Sequence, residues 1–196
     1  MSLYYILSGG RKMGNKMISV KTVVAIGIGA ALYFVLMRFV AIPTFIPNVN
    51  INIGIAVLAL FAAVFGPIAG FLIGFIGHTL TDLTWGWGIW WSWVICSGLV
   101  GLGIGFFRKL YGIEEGAFGL KQCLVFNGVQ IGVNAVVWAL LAPILDILIF
   151  SEPAGKVFAQ GWIAGLTNIV VTLILGSLLA FGYSKTRTKA GSLKAE

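Results

Sequence analysis

The chain has 196 residues, of which 59% are hydrophobic and only 10% are charged. Its mean hydropathy is +1.01, and its formal net charge is +7. Because about a quarter of the residues in soluble domains are charged, this composition excludes a soluble protein and predicts an integral membrane protein. The positive charge needs no nucleic acid partner, because basic residues beside a bilayer reflect topology and attract anionic headgroups.

Six apolar runs, separated by short polar breaks, predict an all-α membrane protein with a compact bundle of six transmembrane helices. Four runs have the roughly 20 residues that cross a bilayer, namely Thr22–Ile42, Ile89–Phe107, Cys123–Ala142 and Trp162–Tyr183. The other two, Ile51–Val64 and Pro67–Leu80, have 14 residues each. At about 1.5 Å per residue these two reach about 21 Å, short of a core of about 30 Å. The Gly66–Pro67 break between them predicts a helical hairpin.

The first run contains pairs of small residues spaced four apart. Ala25 pairs with Gly29, and Gly27 pairs with Ala31. Small residues at this spacing let a second helix approach closely. The sequence leaves two interpretations open, which are docking of a partner subunit and packing inside the chain's own bundle.

The basic residues indicate how the chain is oriented. Eleven of the 13 fall on one side of the predicted bundle: Arg11, Lys12, Lys16, Lys21, Arg108, Lys109, Lys121, Lys185, Arg187, Lys189 and Lys194. The positive-inside rule therefore predicts that both termini are cytoplasmic. Residues 1–16 are interpreted as a tail, for which a vector origin is one explanation. Residues 17–189 are interpreted as the membrane domain, and residues 190–196 as a cytoplasmic tail.

The predicted outer side collects the polar and aromatic residues. His78 and Asp82 stand four apart at the end of the third run, where they either satisfy each other or bind a ligand. Trp90 and Trp93, three apart, share a helix face and could wall a pocket. The same side holds Trp85 and Trp87, which fit an interfacial belt, and a predicted loop with Asp146, Glu152 and Lys156.

The fifth run carries a polar stripe. Asn127, Gln130, Asn134 and Trp138 follow at spacings of 3, 4 and 4 residues. Three amides followed by a tryptophan favour a polar cavity lining, and the alternative is hydrogen bonding between helices. Asn168 in the sixth run could face the same cavity.

Motifs for chemistry are missing from the sequence. It has no phosphate-binding loop, no histidine pair at zinc spacing and no serine or cysteine with a usable base, so we expect no enzyme, no cofactor and no metal site. A small membrane protein with an outward pocket and no energy source is typical of a substrate-capture subunit. Two alternatives from other classes are a stand-alone proton-coupled transporter using His78 and Asp82, and a structural scaffold.

Several segments together give the chain a family resemblance. They are "AIGIGAAL" in the first run, the block Ala56–Leu83, the tryptophan-rich loop, the segment Ala142–Gly161 and the basic tail. Over about Met17 to Lys189 the chain resembles the S component of an energy-coupling factor (ECF) type ABC vitamin transporter. Within that group it most resembles the branch associated with hydroxymethylpyrimidine and thiamine.

The resemblance implies a bacterial plasma membrane protein of six helices with a vitamin site near the outer surface. We expect His78, Asp82, Trp90, Trp93, Gln130, Asn134, Trp138 and Asn168 to form that site. The resemblance also implies a membrane-embedded coupling subunit (the T component) and two cytoplasmic ATPases as partners. The first-helix contact with the coupling subunit maps to Gly27 and Ala31, or to Ala25 and Gly29.

Overall fold

The computed structural model describes residues 19–86 and 88–187. In this part of the chain, six helices form one bundle: α1 Val20–Phe39, α2 Gly54–Phe65, α3 Pro67–Trp85, α4 Trp91–Phe106, α5 Leu120–Phe150 and α6 Ala154–Lys185. An antiparallel pair of two-residue strands, β1 Ile42–Pro43 and β2 Asn50–Ile51, connects α1 to α2. The predicted all-α membrane bundle is confirmed. The predicted tails 1–16 and 190–196, and also Trp87, lie outside the described residues.

The break between α2 and α3 lies where the sequence predicted it. Gly66 has a φ of 93°, in the region that favours glycine, and Pro67 is the first residue of α3. Arg108 Nη1 donates to the backbone oxygen of Val64 at 3.1 Å, which satisfies a carbonyl in the last turn of α2.

Helix α3 has 19 residues, so the prediction of a short third span is wrong. Three threonine hydroxyls in its second half donate to backbone oxygens of the preceding turn: Thr79 to Phe75, Thr81 to Gly77 and Thr84 to Thr81. Side chains bonded to their own helix need no water, and the helix therefore continues past the apolar run to Trp85.

The remaining helices also depart from the predicted lengths. Helix α4 starts at Trp91 and has 16 residues, or about 24 Å, less than the predicted full span. Helices α5 and α6 have 31 and 32 residues and, with α1, are long and apolar enough to cross a membrane. Each contains a π turn, at Val137–Leu141 in α5 and at Thr172–Gly176 in α6. Asp146 and Lys156, which were predicted in a loop, lie inside these helices.

Glycines bring α3 and α4 into backbone contact. A Cβ added at Gly70 would overlap the backbone oxygen of Gly101, and one added at Gly74 would overlap that of Ser97. A Cβ at Gly105 would lie 2.6 Å from the carbonyl carbon of Gly66. The two helices therefore touch at successive turns along their length, the close approach that small residues permit.

The bundle has two chemically different ends. At one end the start of α1 meets the α2–α3 break, with Lys21 Nζ 5.8 Å from the Phe65 ring centroid. The end of α6 lies there too, because its Tyr183 borders the same apolar groove as Lys21 and Phe65. This basic end carries six of the described basic residues: Lys21, Arg108, Lys109, Lys121, Lys185 and Arg187. The opposite end is here called the hairpin end, after the antiparallel β1–β2 hairpin that lies there. It also carries Arg38 and Lys156.

Candidate ligand-binding site

A cavity of about 290 Å³ lies at the hairpin end. Its walls come from α1, the β1–β2 segment, α3, the start of α4, α5 and α6: Met37, Ala41, Asn48, Asn50, Asn52, His78, Thr81, Asp82, Trp85, Trp90, Trp93, Trp138, Lys156, Gln160, Ala164 and Asn168. Small-molecule sites have volumes of about 300–1,000 Å³ and combine aromatic walls with a few polar groups. This cavity has that composition and lies at the lower end of that range.

Four tryptophans form the aromatic part of the wall. The Trp93 and Trp138 ring centroids lie 5.2 Å apart, edge to face. Trp90 stacks on Phe150 with centroids 4.1 Å apart. The fourth, Trp85, lies under the Arg38 guanidinium, whose central carbon is 4.1 Å from the ring centroid. Indoles held in this way present large rigid faces to a ligand.

Asp146 on α5 holds two of these indoles from behind. Its carboxylate accepts from Trp90 Nε1 at 2.7 Å, from Trp93 Nε1 at 2.8 Å and from Ser92 Oγ. Asp146 is 1% exposed and does not line the cavity. Hydrogen bonds to a carboxylate are stronger than those between neutral groups, so this single residue fixes the ring orientations.

A series of buried polar side chains connects Asn52, which follows β2, to Asp82 on α3. Asn52 Nδ2 donates to Tyr33 Oη at 3.1 Å, and Tyr33 Oη lies 3.2 Å from Ser97 Oγ. His78 Nδ1 lies 2.6 Å from the same serine oxygen. His78 Nε2 and Asp82 Oδ1 are 3.6 Å apart. Asp82 lies beside α4 as well, because its Oδ2 accepts from the backbone N–H of Trp90 at 2.9 Å.

Six of the eight residues predicted for the site lie together in the cavity wall: His78, Asp82, Trp90, Trp93, Trp138 and Asn168. The other two, Gln130 and Asn134, are fully buried and are absent from it. Gln130 Nε2 donates to Asn127 Oδ1 and to the backbone oxygen of Ile169, and Asn134 Nδ2 donates to Gln130 Oε1 at 3.2 Å. The bond to Ile169 joins α5 to α6, as in the alternative of hydrogen bonding between helices, whereas the bonds of Asn134 stay within α5.

Sequence reasoning missed several wall residues, including the asparagines of the β1–β2 segment. Asn48, Asn50 and Asn52 alternate along the chain, and this period of two is the signal that would have identified an extended segment with one polar face. Asn48 has a φ of 63°, which asparagine tolerates better than most residues. Gln160 was missed as well, and its Nε2 donates to the backbone oxygen of Pro47 at 2.9 Å, tying α6 to the segment.

Two buried polar atoms in wall residues have no hydrogen-bond partner among the described residues. They are the acceptor Asn52 Oδ1 and the donor Trp138 Nε1. Asn52 is 7% exposed and Trp138 is 2% exposed. Buried polar groups are nearly always paired, so these two atoms have a capacity that a ligand can satisfy.

The small residues of α1 divide between two faces. Ala25 and Gly29 are buried, and a Cβ on Gly29 would lie 2.7 Å from Ile73 Cδ1 and 2.9 Å from Phe61 Cδ1. Gly27 and Ala31 are exposed, and a Cβ on Gly27 would meet nothing within 4 Å. The Ala25–Gly29 pair thus packs inside the bundle, whereas the Gly27–Ala31 pair faces outward.

A comparison with protein families identifies the class of this molecule. The family model for the S component of the ECF-type riboflavin transporter matches residues 17–185. The chain belongs to this family. An ECF S component is the substrate-binding membrane subunit of its transporter, and the cavity at the hairpin end is the candidate place for that binding.

Similar proteins from other bacteria cover nearly the whole chain. The protein named UPF0397 protein from Clostridium perfringens is 52% identical over 184 residues, which are 94% of this chain and all of the relative. Those of the same name from Enterococcus faecalis and Lacticaseibacillus casei are 53% and 51% identical, over 94% and 93% of this chain and 100% and 98% of their own lengths. No solved structure matches the chain.

Proposed function

We propose that this S component captures a flat heteroaromatic vitamin or vitamin precursor at the outer face of the bacterial plasma membrane. A coupling subunit and two cytoplasmic ATPases then drive its import. The proposed ligand is of the hydroxymethylpyrimidine or thiamine type. Riboflavin, after which the matching family is named, is the third compound to test.

The observation that carries the proposal is the cavity of about 290 Å³ walled by four tryptophans and several polar side chains. Indole faces stack on flat rings, and the polar side chains can pair with ring nitrogens and hydroxyls. We assign ligand contact to His78, Asp82, Trp90, Trp93, Trp138 and Asn168. Gln130 is assigned to the α5–α6 contact instead, and Asn134 to hydrogen bonding with Gln130 within α5.

The proposed orientation follows from charge. Six described basic residues lie at the basic end, and two lie at the hairpin end. The positive-inside rule therefore supports a cytoplasmic basic end with both termini there, and an outward-facing cavity. The outward-facing Gly27–Ala31 pair on α1 is the proposed contact with the coupling subunit, because small residues let its helix approach closely.

Uptake into proteoliposomes tests the function. The chain, reconstituted with a coupling subunit and two ATPases of an ECF transporter from a related bacterium, is given radiolabelled hydroxymethylpyrimidine, thiamine and riboflavin in separate assays. We expect ATP-dependent accumulation of at least one of them. The chain alone should bind that compound without accumulating it, even under a pH gradient.

A matched pair of variants links uptake to the cavity. Trp93→Ala removes a wall indole, whereas Trp162→Ala removes an indole that is 62% exposed on α6. Stacking contributes about 0.5–1.5 kcal/mol beyond area burial, so the first variant should bind about tenfold more weakly and the second should bind normally. Accumulation by the chain alone under a pH gradient would favour the proton-coupled alternative, and failure of all three compounds to bind would contradict the proposal.

A further inference from the structure

We propose that the cavity selects a ligand whose flat ring carries a positive charge. This inference rests on the proposed function, because it names the charge class of the same ligand. It is argued from the carboxylates around the cavity, from the cations near them and from the unpaired atoms in the wall.

The first carboxylate, Asp82, is part of the wall and has no cation bonded to it among the described residues. Its Oδ2 accepts the Trp90 N–H, and its Oδ1 is 3.6 Å from His78 Nε2. A charged hydrogen bond between these groups would be about 2.7–2.9 Å long. The 3.6 Å separation is too long for that bond. No described group with a full positive charge therefore forms a hydrogen bond with Asp82.

The second carboxylate, Asp146, acts through the indoles. It accepts from Trp90 Nε1 and Trp93 Nε1, both of neutral rings that line the cavity. A negative charge at an indole N–H polarises the ring and makes its faces more negative. Cations bind most strongly to faces of this kind, and tryptophan is the best of the aromatic side chains for this contact.

Neither of the described cations near the cavity, Lys156 and Arg38, forms an ion pair with Asp82. Lys156 lines the wall, but its Nζ is 2.7 Å from Glu152 Oε2. Arg38 stacks on Trp85 and is not a wall residue. The start of α4 has a partial positive charge, which Asp82 meets at the Trp90 N–H. This partial charge balances only part of a full negative charge, so a cationic ligand would gain from pairing with Asp82.

The unpaired atoms point independently to a ligand and add detail to its edge. Asn52 Nδ2 donates a hydrogen bond to Tyr33 Oη, whereas Asn52 Oδ1 is an acceptor with no described partner. Trp138 Nε1 is a buried donor that also has no described partner. A ring that presents one N–H or O–H donor and one acceptor matches the hydrogen-bonding capacity of these two atoms.

The test compares a cation with its neutral parent ring. Isothermal titration calorimetry is run on the chain in lipid nanodiscs, with 1-methylquinolinium as the cation and quinoline, at a pH where it is unprotonated, as the neutral probe. Empty nanodiscs give the background. We expect 1-methylquinolinium to bind at least tenfold more tightly than quinoline.

Two variants assign that preference to the cavity. Asp82→Asn keeps an oxygen for the Trp90 N–H but removes the charge, and it should weaken 1-methylquinolinium binding at least tenfold while leaving quinoline binding unchanged. Glu115→Gln makes the same charge change at an exposed position of the basic end and should change neither affinity. If Asp82→Asn does not fold, as judged by size-exclusion chromatography, the comparison of the two probes on the unaltered chain decides.

Equal affinities for the two probes, tighter binding of quinoline or no binding of 1-methylquinolinium would overturn the inference. So would an unaltered preference in a folded Asp82→Asn variant. The uptake assay separates this failure from that of the proposed function. Uptake of an uncharged vitamin together with equal probe affinities would overturn only the charge class, whereas lack of binding and uptake of every vitamin would overturn the function.

Discussion

Asp146 shows how one buried residue can shape a site without entering it. Three donors from α4 and its preceding residue converge on its carboxylate, which belongs to α5. The bonds therefore fix two indoles and also join two helices. Removing the acceptor leaves buried indole N–H groups unpaired. The free-energy cost of an unpaired buried donor is larger than the net stabilisation that its hydrogen bond gave.

The first prediction concerns this acceptor. Asp146→Leu should lower the free energy of unfolding by about 2–5 kcal/mol, because each stranded donor costs about 1–3 kcal/mol. Asp146→Asn keeps one accepting oxygen and should lower the free energy of unfolding by less. Denaturant unfolding followed by near-ultraviolet circular dichroism measures both the stability and the immobilisation of Trp90 and Trp93. A leucine variant with an unchanged spectrum and midpoint would refute the assignment.

The second prediction separates the amides of α5 from those of the cavity. Gln130→Leu should lower stability by about 0.6–2 kcal/mol, the range for hydrogen bonds between membrane helices. Asn134→Leu loses bonds only within α5 and should lower stability less, and both variants should leave ligand affinity unchanged. Asn168→Ala removes a wall amide and should weaken binding about 5- to 150-fold. Binding titrations with the transported vitamin make the comparison. Weak binding by the Asn134 variant would place that residue at the ligand after all.

Spacing predicted eight residues for the site, of which six lie in one cavity wall, and the absence of Gln130 and Asn134 from that wall has a physical cause. Gln130, Asn134 and Trp138 form a stripe on a regular helix, but Trp138 lies in the π turn Val137–Leu141. A π turn changes the helical period, so residues on its two sides no longer share the face that α-helical spacing predicts. The sequence also did not reveal which way the α5 amides face, since a polar stripe fits either a cavity or a neighbouring helix.

At the scale of elements, the close packing of α3 against α4 depends on glycines at the contact. The backbones meet because Gly70, Gly74 and Gly101 have no Cβ. This contact sets the position of the end of α3, with His78 and Asp82, relative to the start of α4, with Trp93. The geometry of the cavity wall therefore depends on small residues several turns away.

The third prediction tests this contact. Gly74→Ala places a methyl group against the backbone oxygen of Ser97 and should destabilise the protein by about 1–3 kcal/mol, the usual effect of overpacking. The controls are Gly128→Ala and Gly132→Ala on α5, where a Cβ meets nothing within 4 Å. These should be neutral or stabilising by up to about 1 kcal/mol, because alanine favours helix. Equal thermal unfolding temperatures for all three variants would rule out the contact.

The fourth prediction uses the two faces of α1. Gly27→Leu should abolish ATP-driven uptake and leave ligand binding intact, because leucine blocks a partner helix without reaching the cavity. Gly29→Leu meets Ile73 and Phe61 and should lower the stability of the isolated chain. Uptake, binding and unfolding are measured on both variants. Normal uptake by Gly27→Leu would show that the coupling subunit docks elsewhere.

Apolar run length predicted the number of helices and the Gly66 break because the bilayer core sets that length. It failed at the helix ends. The threonines of α3 and the Asp146 carboxylate look like the edge of a membrane in a hydropathy profile. The threonines are instead satisfied by backbone oxygens of their own helix, and Asp146 by donors at the start of α4 that only the folded bundle brings to it.

At the scale of the whole molecule, the two ends differ in charge as well as shape. The basic end holds most of the described lysines and arginines, and the hairpin end holds the cavity. Helix α2, with 12 residues, is about 18 Å long, whereas α5 and α6 reach about 46–48 Å. The bilayer must therefore adapt differently around the two sides of the bundle.

The fifth prediction is the orientation itself. In a variant with Cys123→Ala, a cysteine at Phe45, which is 82% exposed near the β1–β2 pair, should react with an impermeant maleimide on intact cells. A cysteine at Glu115 should react only after the membrane is opened. The native Cys96 is fully buried and should stay silent in both. The reverse labelling pattern would invert the topology.

The glycine contact between α3 and α4 also bears on how the chain assembles. These helices are neighbours in sequence and are joined by a short loop, so little chain entropy opposes their meeting once both are in the membrane. Their pairing does not wait for α5 or α6, which are synthesised later. We therefore expect the cavity to form last, when the final two helices pack against a pair that is already docked. A truncated chain ending near Arg108 would hold 11 of the 16 wall residues and no enclosed site.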